Sequence, residues 1–258
     1  MSIRTTIRIT LYVVTLLDIL SCGESGYQQQ QFLPVQAKTF HKSCLLGNVD
    51  MSSYPDNSLA LFDCGKQCML RDNCRLFCFN SGTMSCDLLE CFVSQWFPGV
   101  TPSSNTATFK TCYSSWADAR DIIRSNMTVS GSPGHQGTLP INAIDGYYCG
   151  YAWPKYIFIA SSSQPNYLQI NFGSVVKVAE VIINHPTNAE YFKSVVVRLG
   201  NSSIEANTAI IATLAPGALS GFISIINLPT PVPGQFLHLR SMNTDYFQVN
   251  EVQVIRAD

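Results

Sequence analysis

Residues 166–184 read NYLQINFGSVVKVAEVIIN, and this stretch decides the class of the C-terminal half of the chain. Within it, Tyr167–Phe172 and Val175–Asn184 are apolar or alternating runs parted by Gly173 and Ser174. The second run is rich in β-branched residues, which favour strands over helices. Working outward, runs of the same kind recur at Ser194–Leu199, Ala209–Leu214, Phe222–Ile226, Phe236–Arg240 and Phe247–Ile255, separated by Gly, Pro, Asn and Ser. Near the end, Val249, Glu251 and Gln253 alternate with Asn250, Val252 and Val254. Strands at this spacing predict an antiparallel all-β sandwich over residues 115–258.

The region before it has a different chemistry. Cys44, Cys64, Cys68, Cys74, Cys78, Cys86, Cys91 and Cys112 crowd into one segment, and only Cys149 lies downstream. Such density, without the matched close pairs of a zinc site, reads as a disulfide framework in an oxidising compartment. Leu59, Phe62, Cys64, Cys68 and Met69 recur at helical spacing after a cap at Asn57 or Ser58, and Cys64 and Cys68 share one face. Arg75–Phe79 and Ser85–Leu88 read as strands around the turn Asn80-Ser81-Gly82. The expectation is a small disulfide-rich α+β domain over 40–114, joined to the sandwich through the short segment Tyr113–Asp118.

The first residues read as targeting sequence. Arg4 and Arg8 precede the apolar run Ile9–Leu20 and the small residues Ser21–Gly23, which predicts a signal peptide over 1–23 and a secreted, extracellular protein. The run is too short for a membrane span, and no later segment qualifies. Leu20-Ser21-Cys22 also resembles a bacterial lipoprotein site, but the sequons Asn126-Met127-Thr128 and Asn201-Ser202-Ser203 suit a eukaryotic secretory route, with glycans at Asn126 and Asn201. Residues 24–39, including Gln28–Gln31, read as a mobile polar leader. Across 258 residues, 16 Lys plus Arg nearly balance 17 Asp plus Glu, and no basic block occurs, which excludes a nucleic-acid partner. None of the four His lies near a Gly-x-Ser-x-Gly elbow or a His-Glu-x-x-His helix, so the chain is read as a non-enzyme.

The N-terminal domain resembles the PAN/apple family, through the helix bearing Cys64 and Cys68, the pair Asn73-Cys74, the aromatic strand Phe77–Phe79 and Cys86-Asp87-Leu88. Eight cysteines allow 105 connectivities, and spacing alone does not choose. The resemblance implies an outer bridge Cys44–Cys112 and nested bridges Cys64–Cys86 and Cys68–Cys74, leaving Cys78 and Cys91 as an additional pair.

The C-terminal half resembles the galactose-binding-like jelly rolls, which include discoidin modules and F-type lectins. The landmarks are Asn142–Gly146, Asn166–Gly173, Val178–Asn184, Val195–Gly200 and Asn250–Val254, in order. The resemblance to F-type lectins implies calcium held by Asn142, Asp145 and Glu251, which alone fall short of the six to eight oxygens calcium takes. The family's fucose site uses a His, an Arg-x-Asp pair and a further basic residue. The matching loop, His185–Lys193, has no Arg-x-Asp; His185 and Lys193 would stand in, with Tyr191 giving an apolar face. Trp153, in an aromatic loop with Tyr148, Tyr151 and Tyr156, is a further sugar-stacking candidate. Carbohydrate recognition is therefore the leading expectation. The alternative is a structural or adhesive subunit of an extracellular assembly whose loops bind protein partners, with Cys149, the odd cysteine, as an intermolecular crosslink that makes an oligomer.

Overall fold

The computed structural model describes residues 32–35, 38–109, 111–149, 156–161, 165–186, 191–192, 194–214, 223–242 and 246–258. In the N-terminal half these form β1 (Leu33–Val35), β2 (Lys38–His41), β3 (Leu45–Asp50), α1 (Asn57–Met69), β4 (Leu76–Asn80), β5 (Ser85–Leu89), β6 (Phe92–Val93), β7 (Thr106–Phe109) and β8 (Cys112–Ser114). An antiparallel sheet of order β1-β8-β4-β5-β3 carries α1, and β2 and β7 make a separate ribbon. The expected hairpin of β4 and β5 is present, with Asn80 Oδ1 accepting from the N–H groups of Gly82 and Thr83 in its turn. Residues 33–35 and 38–39, read from sequence as polar leader, are strand residues; β1 lies beside β8 with Val35 opposite Cys112. The proposed signal peptide lies outside the described residues.

The helix forms where its spacing predicts, but its cap and its buried face differ from the expectation. Asp56 caps it, its carboxylate accepting from the N–H groups of Ser58 and Leu59. Ala60, Cys64, Gly65 and Cys68 face the sheet, whereas Leu59, Phe62 and Met69 are exposed. Close approach selects the small residues: a Cβ on Gly65 would stand 3.2 Å from the Phe77 ring. The helix is held by Cys64–Cys86 and Cys68–Cys74, the two bridges implied for it.

The other two pairings are corrected. Cys112 bonds Cys78, its direct partner in the β4–β8 register, and so is unavailable to Cys44. Cys44 instead bonds Cys149, which is therefore an intrachain partner across the two halves, and Cys91 is a buried free thiol.

The C-terminal half comprises β9 (Thr128–Gly131), β10 (Tyr147–Tyr148), β11 (Phe158–Ala160), β12 (Tyr167–Asn184), β13 (Val195–Gly200), β14 (Ala209–Leu214), β15 (Ile223–Ser241), β16 (Phe247–Val249) and β17 (Glu251–Arg256). All pairings are antiparallel, in the order β14-β13-β15-β12-β17, with β9 added to β12 and a β11–β16 pair. The long strands β12 and β15 build both layers. Residues 168–171 of β12 pair with β9 and with 236–239 of β15, while 180–184 pair with 223–227 of β15 and with β17. Register shifts lie between these stretches, at Asn171/Val176 and Val178/Glu180, and bulges of this kind bend a strand. Leu168, Ile170, Leu237 and Leu239 from one stretch share a single core with Val181, Ile183, Val252 and Val254 from the other. Alternation thus resolves into a sandwich closed by two bent strands.

The halves meet through side chains that each would otherwise lack. β10 pairs with β6, and Tyr147, 0% exposed, enters the core of the N-terminal half, where its ring stacks on Phe97 at 4.7 Å. Gln253 Nε2 donates to the Trp116 carbonyl at 2.6 Å. Beside it Asp121, 2% exposed, accepts from the N–H groups of Ile123 and Val254 through Oδ1 and from Gln253 through Oδ2. Burial pushes the Asp121 carboxyl up to about 7, against these hydrogen bonds and Arg124, which lower it.

Two predictions follow from this join. Tyr147→Ala removes a fully buried aromatic ring and should cost about 3–5 kcal/mol, read as a lowered denaturation midpoint. An equal midpoint for variant and parent would contradict the core placement. Because the folded pKa of Asp121 lies above its unfolded value, the folded state holds the extra proton, and this group's favourable contribution is lost as pH rises from about 4 to about 7. Asp121→Asn should therefore gain stability relative to the parent across that window, measured by melting temperature against pH. A constant difference would rule out the raised carboxyl.

Candidate functional site

Three loops converge at one end of the sandwich. His135 follows β9, Tyr191 lies between β12 and β13, and Tyr246 precedes β16. Their rings meet edge to face, His135 with Tyr246 at 4.9 Å and Tyr191 with Tyr246 at 5.3 Å. Tyr246 is 36% exposed, and the other two are half-buried. The backbone at both flanks is in the left-handed region without glycine, at Gln136 (φ 51°) and Ser194 (φ 52°). Such conformations cost free energy and persist where the surroundings enforce them, which is common at functional loops. The result is an aromatic cluster open to solvent and fixed by a rigid scaffold.

Of the two sequence candidates for sugar contact among the described residues, His185 and Tyr191, Tyr191 belongs to this cluster. His185, 1% exposed, lies beneath it, its ring stacked on Phe192 at 4.6 Å, with Nε2 3.2 Å from Ser224 Oγ and Nδ1 3.1 Å from the Pro186 carbonyl. Burial lowers its pKa, so it is a neutral core histidine whose ring nitrogens face protein groups. Lys193 and Trp153 lie outside the described residues. His135 and Tyr246 were not legible as site residues, because nothing in their local sequence shows that their loops meet.

The residues proposed for calcium divide. Asp145 and Glu251 line one cleft at the join of the halves, together with Asp121, Ser94, Trp96 and Arg124. Asn142 instead donates from Nδ2 to the Ile157 carbonyl at 3.0 Å. Asp145 Oδ1 accepts from the Tyr147 N–H, and Glu251 Oε2 accepts from the Gly146 N–H at 3.1 Å. Glu251 is 1% exposed, and its carboxyl is held well above the usual range, first by burial and then by the charges of Asp145 and Asp121. The Arg124 guanidinium covers the Trp96 ring at 3.7 Å on the same cleft. Two carboxylates fit a hard cation in charge and donor type, while supplying only part of calcium's coordination.

Both sequon residues, Asn126 and Asn201, are exposed. The outer surface of β13 and β15 is covered by its own ion pairs and loop contacts. Arg240 and Arg198 both meet Glu205, at 2.7 and 3.6 Å, and His238 reaches the Ser202 carbonyl. The aromatic loop end, by contrast, offers ring surface to solvent through Tyr246. Among the described residues no helix is long and apolar enough to cross a membrane.

No known family's sequence profile matches the chain, and no curated protein does. Among solved structures, a fucose-binding module of Streptococcus pneumoniae, SpX-3, is 16% identical, with a TM-score of 0.46, covering 54% of this chain and 98% of its own. The lectin domain of lectinolysin complexed with Lewis B antigen is 15% identical, with a TM-score of 0.47, covering 55% and 99%. The family 32 carbohydrate-binding module from C. perfringens NanJ, in complex with galactose, is 16% identical, with a TM-score of 0.41, covering 52% and 97%.

Proposed function

We propose that this chain is a secreted, non-enzymatic recognition protein that binds carbohydrate at the aromatic loop end of its sandwich. The observation that carries this reading is the cluster of His135, Tyr191 and Tyr246, brought from three loops into edge-to-face contact while remaining open to solvent. The apolar face of a pyranose ring packs on such a surface, and the polar tips of Tyr and His supply hydrogen-bonding partners of the kind its hydroxyls take. The ordered jelly-roll landmarks in the sequence support the same reading, and those around Cys64, Cys68, Cys74 and Cys86 support a PAN/apple-like first domain.

Calcium belongs to this proposal as a structural ion at Asp145 and Glu251, with Asn142 recruited by turning its amide. What supports it is the repulsion between two carboxylates at a buried junction, which a divalent cation would relieve. A second reading, attachment to a protein partner, is favoured by the exposed apolar residues Leu59, Phe62 and Met69 along α1 and Leu70 just past its end.

A glycan array probed with the whole chain should give saccharide hits, and Tyr246→Ala should weaken binding to the best hit about tenfold, the equivalent of one aromatic contact, at an unchanged melting temperature. An empty array, or a variant that binds as the parent does, would reject the site. Calcium should raise the melting temperature of the parent and not of Glu251→Ala, since an ion held only by the folded state stabilises it. If neither calcium nor chelator moves the parent's transition, the ion has no place here.

A further inference from the structure

Three sulfur atoms meet where the halves join. The Sγ atoms of Cys44, Cys91 and Cys149 all lie within 4.8 Å of one another, and all three residues are buried. Cys44 and Cys149 are bonded, while Cys91 keeps a free thiol beside them. Backbone pairing puts them there. The β6–β10 register sets Phe92 opposite Tyr148, so the next step along both chains sets Cys91 opposite Cys149. On the other side the Glu90 N–H donates to the Cys44 carbonyl at 3.1 Å, which holds Cys44 next to Cys91. The Tyr147 hydroxyl completes the group, 3.2 Å from Cys44 Sγ and 3.9 Å from Cys91 Sγ.

We propose that the bridge joining the two halves is exchangeable, with Cys91 as an internal nucleophile that takes Cys149 from Cys44. Cys91 gives up its proton, and its thiolate attacks Cys149 Sγ. The Cys91–Cys149 bond forms as the Cys44–Cys149 bond breaks, and the electron pair leaves on Cys44 Sγ, which takes up a proton. One disulfide and one thiol are present before and after, so no oxidant or reductant is consumed. Tyr147 favours this direction, because its hydroxyl lies beside the sulfur that must leave and can donate to it as charge develops. Tyr147 is thus a positioning residue. Both isomers tie β10 to the N-terminal half, so the covalent join survives the exchange. Burial disfavours the Cys91 thiolate, with the Tyr147 hydroxyl partly offsetting it, so the exchange is slow near neutral pH and gains about tenfold per pH unit as the thiolate fraction rises.

The test uses the whole secreted chain. Samples held at about pH 7 and about pH 9, the interval over which the thiolate fraction rises steeply, are quenched in acid. They are then unfolded, labelled with N-ethylmaleimide and mapped as non-reduced peptides. Label is expected first at Cys91 and then increasingly at Cys44, about a hundredfold faster at the higher pH. Tyr147→Phe should slow the transfer, and Cys91→Ser should carry no label under any condition. In a second arm, Cys44→Ser should be recovered with a Cys91–Cys149 bond and no free thiol. Label confined to Cys91 at all times, or moving to Cys149, overturns the proposal. So does a folded Cys44→Ser protein with both remaining thiols free. Should that variant fail to fold, the time course on the parent decides alone.

Discussion

The burial of Tyr147 in the core of the other half is the constraint from which the rest of the junction follows. To deliver that ring, the chain turns at Gly146, whose φ of +85° suits glycine and where a Cβ would collide with Ser94 Oγ. The same turn points the Gly146 N–H inward, and the Glu251 carboxylate satisfies it, which draws an acid into a place where its charge is costly. Next in the chain, β10 is short because it only needs to pair with β6 before Cys149 is reached. The buried tyrosine hydroxyl lies beside two sulfurs, those of Cys44 and Cys91, so ring, turn, acid and bridge form one arrangement.

The sandwich obeys a different logic, that of two strands long enough to serve both layers. Bending β12 and β15 at their register shifts puts alternate residues of each into the same core, so few chain reversals are needed to enclose it. The loops that remain are then free to differ in length and content. Those that carry His135, Tyr191 and Tyr246 are held close by elements that do not themselves depend on what the loops contain.

Much of this fold was legible in the sequence. The strand runs from Tyr167 onward fall largely on observed strands because period-two burial leaves a direct mark on composition, although Phe247–Ile255 divides into β16 and β17 and the runs at Phe222–Ile226 and Phe236–Arg240 both fall within β15. The pieces Tyr167–Phe172 and Val175–Asn184 prove continuous as β12, since a bulge interrupts pairing without ending a strand. Strands of two to four residues, such as β9, β10 and β11, are too short to show a period. The helix was found with Cys64 and Cys68 inward as read, but Leu59, Phe62 and Met69 turn outward, because two disulfides and a glycine draw α1 against the sheet where large apolar residues would usually turn inward. Pairing of cysteines failed where it depended on register: Cys112 takes Cys78 across one ladder, and Cys149 reaches Cys44 across a junction that no local pattern announces. At the site, Tyr191 was legible from its loop, whereas the contribution of His135 and Tyr246 exists only once distant loops are assembled.

Strand direction has a spatial consequence for the two sequons. Asn126 precedes β9, which runs toward His135, and Asn201 follows β13, which runs away from Tyr191. Both asparagines are therefore at the pole of the sandwich opposite the aromatic rings, separated from them by the length of a strand, roughly 13–20 Å for four to six residues. An oligosaccharide attached at either would leave the molecule from its back. The aromatic pole would stay bare, and the protein's own sugars would neither mask it nor compete for it.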